Sequence, residues 1–290
     1  MFERVLYPTD GGGPARDLLE FVLDVASHHD AELHLLAVAE TNREGLARLA
    51  ATADQLEREG RAVVSRAAER AAERGVETVT AVRRGRPHAE IVAYARQVDP
   101  GLVVLPTRGR GGLETVFGST TDRVLRRAAV PVLTVRPNTD PRSHHPFRRV
   151  LVATDGSEPA AAAVAAGAEV AAAYGARLDL LSVVSVAALG VDIRSELQLD
   201  ALEEQASDVV DAAVERAEAS VAEVSGFVAY GSSIHRTVLS HVEAHEADLV
   251  IAGTHGRTGL DRYLLGSVAE RLVRGSPVPV LTVRGEAEEE

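Results

Sequence analysis

The sequence predicts an α/β protein built as two tandem, doubly wound domains, each a five-stranded parallel sheet with helices on both faces. Three observations carry this. Short apolar runs alternate with longer amphipathic segments along all 290 residues, the pattern of strands joined by crossover helices. The apolar runs are near-continuous, as strands buried on both faces require. The chain also repeats itself once. VLYPTDG at 5–11 returns as VLVATDG at 150–156, LVVLPTRG at 102–109 as LVIAGTHG at 249–256, and VPVLTVR at 130–136 as 278–284. The offset is 145 residues early and 148 late, so a duplication with small length changes explains it.

Taken in order, the first half predicts strands at 3–8, 33–38, 77–82, 102–106 and 131–135. Helices fall at 14–28, 44–74, 87–97 and 118–128. The longest are charged on one face and rich in Ala, Val and Leu on the other, as a helix covering a sheet should be. A polar stretch with three prolines, 136–147, reads as a linker. The expected division is a first domain at 1–137, a linker at 138–147, a second domain at 148–285 and an acidic tail at 286–290. The second half predicts strands at 148–153, 177–184, 226–230, 248–252 and 279–283, with helices at 158–173, 195–223, 234–245 and 266–274.

Composition excludes several chemistries. There is no Cys, which removes disulfides, thiol catalysis and thiolate metal sites. All 31 basic residues are Arg, so a lysine-bearing phosphate loop and Schiff-base chemistry are excluded. Residues 1–142 hold 20 of the Arg and 20 of the 43 acidic residues, so the net charge of −12 belongs entirely to the rest of the chain. An acidic, lysine-free surface fits salt adaptation and makes a poor partner for nucleic acid. No apolar run is long enough to span a membrane. The first residues read as a strand and not as a secretion signal, so a cytoplasmic protein is expected.

The stretch richest in chemistry is 248–273. A buried strand ends at Gly253, and Gly256 and the pair Gly266-Ser267 follow before helical spacing resumes at Val268, Leu272 and Val273. Strand, glycine-rich loop and helix start together let backbone amides approach a phosphate, and the positive end of the helix favours its charge. The spacing Gly253-x2-Gly256-x9-Gly266-Ser267 resembles the nucleotide motif of the universal stress protein family. That resemblance implies a Rossmann-like, adenine nucleotide alpha hydrolase-like fold with strand order 3-2-1-4-5. It also implies ATP (or AMP or ADP) as ligand, with Mg2+ accompanying the nucleotide. Two such domains pair in that family, so this chain would form an internal pseudo-dimer, with room for a higher homo-oligomer and for an unidentified protein partner.

In that strand order the ligand crevice lies where strands one and four diverge, which brings Asp155 and Gly253 together. The Asp155 carboxylate suits a ribose or base amine. It also suits a helix start with Ser157, Glu158 and Pro159, where Ser157 fits the cap and leaves Asp155 for the ligand. Thr154 could touch ribose. By resemblance Val183 holds adenine through its backbone. Thr254, His255, Gly256 and Arg257 would wrap the phosphates, mostly through amides, and Ser267 with the Val268 amide would close the cradle. The first half departs from this. Pro106 stands at the first glycine and the loop is one residue shorter. Asp10, Val38, Gly109, Gly118, Ser119 and Thr120 then predict a weaker second site. No catalytic residue and no protein metal ligand is expected.

His241 and His245 share a helix face but read as surface residues, and His144 and His145 as solvated. The run Arg83-Arg84-Gly85-Arg86 reads as a surface loop after the third strand. The leading function is a stress-response sensor or regulator that binds nucleotide mainly in its second half. The alternatives are an interaction module with vestigial sites, and an adenylate-forming or slow ATP-hydrolysing enzyme.

Overall fold

The computed structural model describes residues 2–40, 49–108, 118–137, 139–186, 193–254 and 265–285. The chain divides into two compact units, Met1–His145 and Pro146–Glu290. Among the described residues no helix is long and apolar enough to cross a membrane.

The first unit runs β1 (Arg4–Pro8), α1 (Gly13–His29), β2 (Glu32–Glu40), α2 (Leu49–Ala72), β3 (Thr78–Gly85), α3 (Pro87–Val98), β4 (Leu102–Pro106), α4 (Ser119–Leu125) and β5 (Val132–Val135), then a 3-10 turn at Pro141–His144. The second runs β6 (Arg149–Ala153), α5 (Glu158–Tyr174), β7 (Arg177–Ser185), α6 (Ile193–Glu218), β8 (Val224–Gly231), α7 (Ile234–His245), β9 (Leu249–Gly253), α8 (Ser267–Gly275) and β10 (Val280–Val283). The strand orders are β3-β2-β1-β4-β5 and β8-β7-β6-β9-β10, every pair within a unit parallel. Both units therefore have the 3-2-1-4-5 order.

Burial explains the apolar runs. Val5, Leu6 and Tyr7 of β1 and Val150, Leu151 and Val152 of β6 are wholly inaccessible, because each central strand has a neighbour on both sides and helices on both faces. With few aromatics, the core is filled by Val, Leu and Ala. Small residues let helices sit close to the sheet. At Gly167 of α5 an added Cβ would lie 2.4 Å from Val152 Cγ2. That helix stops at Gly175, whose φ of 61° takes the left-handed turn at its C-cap.

Two expectations change here. Arg83 and Arg84 belong to β3 and are not in a loop, with Cα partners Val38 and Ala39 of β2. β3 is an edge strand with a half-solvated face, so polar side chains continue it past the apolar stretch. Arg84 pairs with Asp54 at 2.7 Å and with Glu57, and Arg83 lies over the Tyr94 ring at 5.4 Å. The stretch expected to be a solvated linker also has structure. Asp140 accepts from the Arg142 amide at 3.2 Å, Arg142 reaches Asp24 of α1 at 2.7 Å, and His145 sits edge-on to Phe21 and His28, half-buried.

Gly167→Val should cost about 1–3 kcal/mol, since a side chain there must displace Val152 in a close-packed layer. A lowered denaturation midpoint by circular dichroism, with unchanged slope, is the expected outcome.

Candidate functional site

The site is built where β6 stops short. β6 pairs with β7 only as far as Ala153 opposite Leu181, after which the Thr154 amide donates to the Leu181 carbonyl at 2.9 Å. β7 continues beside β8 to Ser185 opposite Gly231. In a parallel ladder, alternate residues turn both backbone groups to the same neighbour. Leu181 faces β6, so Val183 turns its amide and carbonyl to the same edge, beyond the end of β6. Val183 is half-buried. This backbone edge is the arrangement that reading a base by its hydrogen-bonding edge requires.

The turn leaving β6 is made by its own side chains. Gly156 takes φ 77°, and its amide donates to Thr154 Oγ1 at 3.3 Å. The Ser157 amide and hydroxyl both donate to Asp155 Oδ1, at 3.0 and 2.6 Å. Ser157 stands at the start of α5, where the sequence places the cap, but its hydroxyl goes to Asp155. Ser157 is the N-cap residue but makes no side-chain capping bond, and Asp155 holds the turn as an Asx motif. The same turn recurs in the first unit, where the Gly12 amide donates to Asp10 Oδ1 at 2.8 Å.

Across the crevice, β9 ends at Gly253. A Cβ there would meet the Pro159 carbonyl carbon and oxygen at 2.7 Å, so this glycine lets the end of β9 touch the start of α5. Thr254 is buried at 4% exposure. Its amide donates to the Val283 carbonyl at 2.8 Å, and its carbonyl accepts from the Gly266 amide at 2.6 Å. That last bond brings the end of β9 against the start of α8. Gly266 is the N-cap of α8 without a side-chain capping bond, Ser267 is exposed and Val268 half-buried. The first-turn amides of α8 therefore point outward beside the neck, as an anion site needs. His255, Gly256 and Arg257 lie outside the described residues.

A cleft of about 250 Å³ opens beside this turn, lined by Thr154, Gly156 and Val164 below and by Gln205, Asp208 and Arg216 of α6 above. The α6 residues were not anticipated from sequence. They recur at near-helical spacing on a face that reads as plain solvated surface, and only the fold sets that face over the end of β6.

In the first unit, Val38 occupies the place of Val183 beyond the end of β1, and the Gly118 amide donates to the Thr107 carbonyl at 2.9 Å. Ser119 and Thr120 start α4, which has seven residues. Thr121 donates to the Pro106 carbonyl at 2.9 Å, so a side chain braces the strand end where the second unit has Gly253. Gly109 lies outside the described residues.

His241 and His245 are half-buried and packed, not free on the surface. Their rings stack with centroids 3.9 Å apart, and Phe227 of β8 meets them at 4.7 and 5.0 Å. Burial, then the neighbouring His245 and Arg149, push the His241 imidazole down to about 4. His29 is likewise lowered to about 4, by burial first and then by His28. Burial also lowers His88, His145 and His235.

The sequence model of the Universal stress protein family matches residues 1–136 and again 146–284. Universal stress protein MJ0531 of Methanocaldococcus jannaschii is 30% identical over 143 residues, covering 47% of this chain and 83% of that protein. Universal stress protein YxiE of Bacillus subtilis is 29% identical over 151 residues, covering 47% of this chain and all of that protein. Relatives of this kind therefore correspond to one half of the chain. A solved universal stress protein from Archaeoglobus fulgidus matches 99% of this chain and 98% of its own, at 24% identity and a TM-score of 0.74, which is a likeness of fold.

The lowered histidines set a sign for acid stability. Above pH 6.5 they contribute nothing to its pH dependence. As pH falls from 6.5 towards 4 the unfolded chain takes up protons that the folded chain refuses, so stability falls. The thermal midpoint should drop between pH 7 and pH 5, and less steeply in His241→Phe; a flat midpoint would contradict this.

Proposed function

Because this chain belongs to the universal stress protein family, in two tandem copies, we propose that it is a cytoplasmic stress-response protein binding one adenine nucleotide, ATP with its Mg2+, in the second unit. The observation that carries this reading is the neck at the end of β9. The Gly266 amide to Thr254 carbonyl bond sets the start of α8 beside the crevice where β6 has ended. Among the described residues, several groups suited to such a ligand lie along this crevice. The Val183 amide and carbonyl suit an adenine edge, and Thr154 with the Asp155 carboxylate suits ribose. Gly253, Thr254, Gly266, Ser267 and the Val268 amide suit the phosphates, together with His255, Gly256 and Arg257. Arg216 adds a cation at the cleft. Phosphates favour the amino end of a helix on both hydrogen-bonding and dipole grounds.

The Asp10, Val38, Gly109, Gly118, Ser119 and Thr120 site is proposed as the weaker one. Pro106 has no amide to offer and fixes its own φ, Thr121 already holds its carbonyl, and α4 is only seven residues long. The function is then regulatory: nucleotide occupancy in one unit alters how the protein engages a partner.

Calorimetric titration with Mg-ATP, with mass spectrometry of nucleotide carried through purification, tests this. One nucleotide per chain is expected. Ser267→Asp keeps a good residue at the helix start but places a negative charge where phosphate would lie. It should weaken ATP binding by roughly tenfold or more, for a charge effect of about 1–2 kcal/mol, with little change in stability. Ser119→Asp in the first unit should leave affinity unchanged. Gly253 is a poor probe, since any side chain there collides with Pro159. Absence of nucleotide binding by the wild-type protein would overturn the proposal.

A further inference from the structure

The second unit carries a cluster that the nucleotide reading does not use. Asp179 lies in the middle of β7, opposite Leu151 of β6, and is buried at 3% exposure. His241 and His245 stand one turn apart on α7. Ligating atoms of the three all lie within 4.8 Å of one another. Asp179 Oδ2 and His241 Nε2 are both buried without a hydrogen bond. Leaving a carboxylate oxygen and an imidazole nitrogen unmade in the same pocket is costly. Burial raises the pKa of Asp179, with Arg149, His245 and Arg177 opposing.

The first unit shows what a closed version of this place looks like. Residue for residue, His34 of β2 stands where Asp179 does, opposite Leu6 of β1. Tyr94 and Val98 of α3 stand where His241 and His245 do, since both helices have twelve residues in the same place. There His34 Nδ1 and the Tyr94 hydroxyl are bonded at 3.0 Å, and His34 Nε2 meets Glu32 at 2.8 Å. Arg4 and Arg149 also correspond, each donating to the carbonyl of the last helical residue, Val98 or His245. So at this place the first unit pairs both nitrogens of His34 and has a valine at the third position. The other presents two imidazoles and a carboxylate around orphaned atoms.

We propose that Asp179, His241 and His245 form a binding site for a borderline divalent transition ion of the zinc, cobalt or nickel type. Two imidazoles and one carboxylate are three protein ligands of the kind such ions take, with a fourth position open to water. Bonds of about 2.1 Å need ligand atoms roughly 3.4 Å apart in a tetrahedral site, so the two stacked rings must turn on binding. His241 and His245 are half-buried, which leaves an approach from solvent. Arg149 is the opposing charge. Its Nε is 3.9 Å from Asp179 Oδ2, too far to bond, and its Nη1 is held at 2.6 Å by the His245 carbonyl. The site is separate from the nucleotide crevice, since it uses the middle of β7 and not its carboxyl end.

The test is a titration of full-length, chelator-treated protein with Co2+, read by visible d–d absorption, and with Zn2+ by calorimetry and thermal unfolding. One ion per chain, a tetrahedral or five-coordinate cobalt spectrum and a raised thermal midpoint with Zn2+ are expected. His241→Tyr and His245→Val carry the residues that the first unit already accommodates, so they should fold. Each should weaken binding by more than about tenfold. His28→Gln, in the other histidine-rich place, should change nothing. No cobalt spectrum in the wild-type protein, the same affinity in both variants, or loss of binding in His28→Gln would each overturn the proposal.

Discussion

The second unit depends on a mismatch of strand lengths. β6 ends at Ala153 while β7 runs on to Ser185. A parallel ladder cannot turn its groups away when a neighbour stops, so β7 presents backbone donors and acceptors to an edge with no strand. On the other side, β9 ends level with the crevice, and its Thr254 carbonyl ties the amino end of α8 to the same rim. The crossovers from β6 to β7 and from β9 to β10 diverge at that point, and the space between them is what the fold leaves for a ligand. The glycines matter because they let backbones meet: Gly253 at Pro159, and Gly167 at Val152.

Much of this was legible in the sequence. Apolar runs placed the ten strands found among the described residues, and the repeat told which belonged together. The strand order came from the motif resemblance, and it holds in each unit. The failures have physical causes. Arg83 and Arg84 extend an edge strand, where hydrophobic patterning gives out before hydrogen bonding does. Ser157 stands at the expected cap position but bonds Asp155 with its side chain, and only geometry tells which oxygen the amides reach. The His241 and His245 pair was read as surface because its partner, Asp179, lies far away in sequence between Leu178 and Leu180, where one acidic residue looks like a blemish in a buried strand. The α6 wall of the cleft was missed for the same kind of reason.

The two copies have diverged at sites that share a backbone. In the first, Thr121 and the hydroxyl of Tyr94 hold Pro106 and His34. In the second the corresponding positions are Ala269 and His241, and Asp179 Oδ2 and His241 Nε2 have no hydrogen bond. At these places the first copy pairs its polar groups internally and the second leaves two of them unbonded.

The bond between the Gly266 amide and the Thr254 carbonyl, with its counterpart between Gly118 and Thr107, has an evolutionary consequence. It joins the residues on either side of a stretch of ten residues in the first unit and eleven in the second. Chain-closure entropy grows only with the logarithm of length, and one residue more or less changes it by about 0.1 kcal/mol. The segment is therefore an exchangeable cassette. Its length can change between copies while this bond keeps strand and helix in place.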